Sequence, residues 1–152
     1  MFSGNSSLNL DSKARLAIPS RYREHLNEVC AGELKIAPSP YDRCLWIYPI
    51  KEWEVIAKKL TALPDANKNN RRIKQKVIGD AETCNMDSLG RVRLSTKLVG
   101  HADLKKEIVI RGQGNKFELW DEAIWTTEEE EWMQNLEDGD QEISESLSNI
   151  SF

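Results

Sequence analysis

Two stretches of the chain carry the same charged pair at the same spacing: Asp11-Ser12-Lys13-Ala14-Arg15 and Asp87-Ser88-Leu89-Gly90-Arg91. An aspartate four residues before an arginine suits two kinds of chemistry. Its carboxylate can close a turn on backbone N–H groups and hold the guanidinium as a solvated ion pair, worth about 0–1 kcal/mol. Alternatively the guanidinium reaches outward, where its fixed fork of donors matches guanine O6 and N7, while a lysine beside it serves phosphate as a point charge. The residues taken alone favour neither. Lys13, Arg15, Arg91 and Arg93 are therefore the candidate contacts to an anionic partner, and Asp11 and Asp87 the candidate turn-formers that aim them.

Other residue types capable of chemistry point to no reaction. The cysteines Cys30, Cys44 and Cys84 are odd in number, widely spaced and without a Cys-x-x-Cys pair, which speaks against a disulfide framework or zinc site and for buried, reduced thiols. Neither His25 nor His101 has a nucleophile or carboxylate at a recognisable catalytic spacing, so the sequence predicts neither an enzyme nor a cofactor. Arg71, Arg72, Lys74 and Lys76 form the densest basic run. A solvated helix face is its ordinary explanation, with contact to a DNA backbone as the alternative. Trp46, Trp53, Trp120 and Trp125 fall at strand ends and helix starts, positions that suit core or subunit-interface packing better than base stacking.

The elements that must position the charged pairs occur twice. DSKARLAIPS from Asp11 returns as DSLGRVRLST from Asp87, an offset of 76 residues. Leu8 and Leu10 match Cys84 and Met86, and His25 matches His101, at the same offset; Leu34-Lys35-Ile36 then matches Ile108-Val109-Ile110, and Tyr48 and Trp53 match Trp120 and Trp125. Two copies of one unit, over residues 5–52 and 81–124, make a pseudo-symmetric pair, since the period is too long and the copy number too low for a solenoid. Alternation with period two on both sides of each Asp-x-x-x-Arg predicts two short strands joined by a turn, with Leu16, Ile18, Val92 and Leu94 facing the core and Arg15, Arg91 and Arg93 facing away. Gly90 suits a left-handed turn residue, whereas Ala14 at the matching position implies a less demanding conformation there. Pro19 reads as the first residue of a helix that Gly32 stops; the second copy has a weaker counterpart over 96–102, interrupted by Gly100. Strands follow at 34–37, 45–48, 108–111 and 117–120. A helical connector over 53–80 holds Trp53, Ile56, Ala57 and Leu60 on one face, ends at Pro64, passes a polar hinge over 67–70 and carries the basic run on a second helix.

Charge is distributed unevenly. The net of −4 conceals a body, residues 1–116, that holds all 21 basic and 13 of the 25 acidic residues, a formal +8, followed by a stretch with no Lys or Arg. A basic body with an acidic tail is an asymmetry that points towards nucleic acid. The tail over 127–152 includes Trp132, Met133 and Leu136, enough for a short helix, and reads as solubilising rather than as a guard over the basic surface. No apolar run approaches a membrane span, and the N-terminal residues lack the basic start and apolar stretch of a secretory signal, so a cytoplasmic protein without a membrane partner is expected.

A Met-Phe-x-Gly start, DSKARLAIPSRYRE, CLWIYPIKEWE, MDSLGRVRLS and NKFELWDEAIW occur in this order over nearly the whole chain, and the set resembles the MraZ family of bacterial regulators. That resemblance implies an α+β, β-rich fold in which two SpoVT/AbrB-like modules form a swapped-hairpin (double-split) β-barrel with short helices. It also implies ring-shaped homo-oligomers, nucleoid association, and regulation of transcription by binding repeated DNA boxes upstream of the protein's own division and cell-wall operon. It tips the arginines towards DNA contact and leaves the aspartates as turn-formers. Two positions depart from the family pattern: Ala14 stands where glycine is usual, and Ser3 where many members carry arginine. An oligomeric interaction scaffold without specific DNA binding, or a holder of a small acidic ligand at the basic loops, are the rival classes.

Overall fold

A computed structural model describes all residues, 1–152. The first copy contributes β1 (Asn5–Asn9), β2 (Arg15–Ala17), α1 (Ser20–Cys30), β3 (Glu33–Pro38) and β4 (Leu45–Pro49). The connector supplies α2 (Ile50–Thr61) and α3 (Lys68–Val77). The second copy repeats the series as β5 (Glu82–Asn85), β6 (Arg91–Arg93), α4 (Thr96–Ala102), β7 (Glu107–Gly112) and β8 (Phe117–Asp121). After it come α5 (Glu122–Asp138) and α6 (Glu145–Ser148). Contacts divide the chain into two compact units, Met1–Glu122 and Ala123–Phe152.

In the first unit the copies exchange strands. The strands flanking each Asp-x-x-x-Arg part company instead of pairing with each other. β1 joins β7 of the second copy, β5 joins β3 of the first, and β2 and β6 pair with one another as a separate ribbon. The result is an antiparallel α+β arrangement: an open six-stranded sheet in the order β1-β7-β8-β4-β3-β5, plus the two-stranded ribbon. The ladders do not close into a barrel. Registers reveal a pseudo-two-fold axis, because Leu16 faces its own repeat-mate Val92 across the ribbon and Trp46 faces its repeat-mate Glu118 across β4 and β8.

Alternation places the core. Leu16, Ile18, Val92 and Leu94 are buried as the period-two pattern requires, and they join Leu34, Ile36, Leu45, Ile47, Ile108, Ile110, Phe117 and Leu119 in one cluster under α1 and α4. Phe2 plugs this cluster, with its ring centroid 4.2 Å from Phe117 and 5.7 Å from Tyr22. A second, smaller cluster of Ala37, Tyr48, Trp53 and Val77 lies beneath α2 and α3.

Several local expectations need correction. Pro19 and Ser95 both stand just outside their helices; Ser95 Oγ accepts from Leu98 N–H at 3.2 Å, a cap the proline cannot make. Gly100 lies inside α4 without interrupting it. Asn67 is no hinge: its side chain accepts from Asn70 N–H at 3.0 Å and starts α3, drawing 68–70 into the helix. α1 ends through two left-handed residues, Ala31 at φ 52° and Gly32 at φ 74°. Cys30 and Cys44 are buried but Cys84 is only half-buried.

The second unit is helical. α5 runs for 17 residues from Glu122, longer than the short helix expected, with Trp132, Met133 and Leu136 exposed along it. α6 is capped by Ser144, whose Oγ accepts from Leu147 N–H at 3.1 Å. No helix of the chain is long and apolar enough to cross a membrane.

Candidate nucleic-acid interface

The two Asp turns are built alike, atom for atom. Asp11 Oδ1 accepts from the N–H groups of Lys13 at 2.9 Å and Arg15 at 2.8 Å, and Asp87 Oδ1 from those of Leu89 and Arg91 at 2.9 Å. The other oxygen of each carboxylate takes Nε–H of Arg15 or Arg91 at 2.8 Å. Donation from the arginine backbone N–H is the leading reason that both carboxyls sit below their ordinary range, so they are fully charged at neutral pH. Holding the guanidinium by Nε alone fixes its direction while Nη1 and Nη2 make no hydrogen bond within the chain. The same carboxylate thus closes the turn and holds the guanidinium.

Both turns require a left-handed fourth residue. Gly90 has φ 73°, and Ala14 adopts φ 57°, so the expectation that Ala14 sits in a relaxed conformation is wrong. The hydrogen bonds of the repeat dictate this. Ala14 N–H reaches Asp11 O at 3.0 Å and Ala14 O accepts from Leu94 N–H at 2.8 Å; Gly90 N–H reaches Asp87 O at 2.9 Å and Gly90 O accepts from Ile18 N–H at 2.8 Å. Each turn is therefore anchored to the strand exit of the other copy. The glycine is reserved for the second turn because Arg23 crosses it: a Cβ at Gly90 would lie 2.3 Å from Arg23 Nε, which donates to Ile18 O at 2.6 Å. At the position repeat-matched to Arg23 stands Val99, which is shorter and uncharged.

The ribbon brings three of the four candidate cations together. Its inward residues Leu16 and Val92 are 1% exposed, and its outer face carries Arg15 opposite Arg93 and Ala17 opposite Arg91. Arg93 is exposed and forms no ion pair, whereas Arg15 and Arg91 keep theirs with Asp11 and Asp87. Lys13 projects at the tip of the first turn; its repeat-mate in the second is Leu89, 59% exposed. Lys105 and Lys106 escaped the sequence reading, yet they share a surface depression with Leu10, Asp11 and Ser12, tied by Leu10 N–H to Lys106 O at 2.8 Å. Only the pairing of β1 with β7 brings them there; no local signal could have found them.

The basic run on α3 is placed elsewhere and is largely occupied. Lys74 Nζ donates to Thr61 O, Leu63 O and Asp65 Oδ1, and Arg71 Nη1 to Asp65 O at 2.7 Å and Ala66 O at 3.2 Å, so the two tie the α2–α3 corner. Arg72 bonds Gln75 at 2.9 Å, and Lys76 pairs with Asp80 at 3.2 Å. One cluster of metal-type side chains exists, Asp42, Cys44 and Glu118, whose ligand atoms lie within 4.8 Å of one another. Burial, reinforced by Glu118, pushes the Cys44 thiol far above its ordinary pKa, and both Glu118 oxygens already accept indole N–H groups, from Trp46 at 3.3 Å and Trp120 at 3.1 Å. A protonated thiol and a committed carboxylate are poor ligands.

The family model of the MraZ protein matches the chain twice, over residues 1–76 and 77–145. The chain belongs to the MraZ family. Relatives named "Transcriptional regulator MraZ" match over 151 residues, 99% of each chain: 43% identical in Halorhodospira halophila, 43% in Serratia proteamaculans and 44% in Klebsiella pneumoniae. The paired matches coincide with the duplication seen in the sheet, each covering one Asp turn and one half of the exchanged strands.

Proposed function

We propose that this chain is a sequence-specific DNA-binding regulator of transcription and that the β2–β6 ribbon is its reading surface. One observation carries the reading: Arg15, Arg91 and Arg93 share the outer face of a two-stranded ribbon, with Arg15 directly across from Arg93. Like charges placed opposite one another repel, and Arg93 has no carboxylate to offset them, so an anion at this face is favoured. A two-stranded ribbon fits the DNA major groove, and guanidinium Nη donors left free by Nε-anchoring suit guanine O6 and N7. Lys13 and Lys106 beside the first turn supply phosphate contacts; Lys105 draws less support, because Asp103 and Asp121 already pair with it. The names of the relatives support transcription regulation as the activity. Arg71, Arg72 and Lys74 draw less support as backbone contacts, because intrachain acceptors already hold them.

A three-residue ribbon is a small surface. Ring-shaped self-assembly that sets several ribbons against repeated boxes upstream of the protein's own operon would supply affinity through avidity, and would make the protein cytoplasmic and nucleoid-associated. The test is binding to that upstream region, by fluorescence anisotropy at several salt concentrations, of the Arg15→Ala, Arg91→Ala double variant and of Arg93→Ala. Each lost bidentate contact is expected to weaken specific binding about 5- to 150-fold, from about 1–3 kcal/mol of discrimination. Unchanged affinity in a folded oligomer refutes the assignment. Intact assembly with no salt-sensitive DNA binding at all identifies the chain as an interaction scaffold instead.

A further inference from the structure

The smaller core contains a cavity that neither the Asp turns nor the strand exchange explains. It measures about 270 Å³ and is lined by Ile56, Leu60, Ile73 and Val77 together with Trp46, Tyr48 and Lys116. The second copy lacks the counterpart of α3, so this space arises only where the connector folds back over β4.

We propose that this cavity binds a small organic anion with a flat apolar body of one or two rings. An apolar cavity of about 150 Å³ accommodates a benzene ring, so 270 Å³ takes a bicyclic body. The walls are aliphatic and aromatic, as binding sites for such molecules are, with a single charge to orient the ligand. That charge is Lys116, whose Nζ stands 5.0 Å from the Trp46 ring centre and 5.7 Å from that of Tyr48 and forms no ion pair with a carboxylate. Its ammonium already fills the position over the aromatic faces that a cationic ligand would need, which selects an anion. Glu118, two residues beyond Lys116, makes no ion pair with it; its oxygens accept the indole N–H groups of Trp46 and Trp120.

The experiment uses the full-length protein, with 1-naphthoate as probe and 1-naphthalenemethanol as its neutral counterpart, and reads quenching of tryptophan fluorescence and saturation-transfer NMR. Saturable 1:1 naphthoate binding is expected, about tenfold or more weaker for the neutral probe and for Lys116→Met, since a hydrogen bond to a charged group is lost in each. Ile73→Trp, which fills the cavity, abolishes it; Leu60→Phe serves if that variant misfolds, folding being checked by circular dichroism. Absence of saturable binding up to millimolar probe, equal affinity for the two probes, or binding that survives both the lysine and the cavity-filling substitution overturns the proposal.

Discussion

Replacing Gly90 by alanine tests the claim that the two Asp turns share one backbone conformation but tolerate different residues. A Cβ at φ 73° brings left-handed strain of about 1–2 kcal/mol. It would also stand 2.5 Å from Arg23 Cδ and 2.3 Å from Nε, and Arg23, being flexible, escapes by giving up its 2.6 Å bond to Ile18 O. A hydrogen bond from a charged donor contributes about 1.5–3 kcal/mol, while the stiffer unfolded chain returns about 0.4–1 kcal/mol. The net expectation is a loss of about 2–4 kcal/mol, or about 5–15 °C in Tm for a chain of this size. The mirror substitution, Ala14→Gly, meets no Arg23 and relieves strain at φ 57°, so it should stabilise by about 0.5–1 kcal/mol. Urea titration of both variants, with Arg23→Ala alone and combined with Gly90→Ala, separates strain from displacement. If Gly90→Ala lies within about 0.5 kcal/mol of the parent, if the two substitutions shift stability in the same direction, or if Arg23→Ala leaves the cost of Gly90→Ala undiminished, the account of the turns is wrong.

Further expectations concern charge, burial and the N-terminal plug. Because Asp11 and Asp87 have folded-state pKa values below the unfolded one near 3.8, their contribution is complete above that value and is lost as pH falls through and below it. Asp11→Asn with Asp87→Asn should therefore flatten the acid limb of a Tm-against-pH curve below about pH 4, and an unaltered limb would contradict the turn hydrogen bonds. Lys13→Ala should weaken DNA binding evenly across sequences and reduce the slope of log K against log salt by about one; a sequence-dependent loss would reassign Lys13 to a base. Cys44, buried and raised in pKa by that burial, should resist a thiol reagent at pH 8 until the chain is unfolded by urea, which mass spectrometry of labelled peptides can check. Phe2→Ala should cost about 3–5 kcal/mol in urea titration, as the ring is 5% exposed among Phe117, Tyr22 and His25.

Periodicity disclosed which side chains turn inward. Leu16, Ile18, Val92 and Leu94 are buried and Arg93 is exposed because alternation depends only on the strand itself. The partner of each strand was not legible. Leu8 and Leu10 could as well have lain beside β2 as beside β7, for the choice is made by the axis relating the copies and by nothing in residues 5–18. The same ignorance hid Lys105 and Lys106. Residue type also misled at Ala14, where alanine argued for relaxed geometry while the hydrogen bonds to Asp11 and Leu94 impose the glycine-like one. For the candidate site, the positions of Asp11, Arg15, Asp87 and Arg91 followed from the repeat. That one carboxylate serves both turn and guanidinium was not legible, since spacing alone cannot say which oxygen faces which donor.

Strand exchange also sets an order of events during synthesis. Asn5 pairs with Arg111 and Asn9 with Glu107, so the first strand to leave the ribosome waits about a hundred residues for its neighbour. Loop closure over such a span must be met before pairing rewards it, which makes folding slow relative to helix-rich chains of similar length. Until β5 emerges the outer edge of β3, and until β7 emerges β1, are open to any strand of matching pattern, and the nearest supply is another nascent copy on the same message. Translation rate across residues 82–112 therefore bears on whether the halves of one chain find each other or the halves of two chains do.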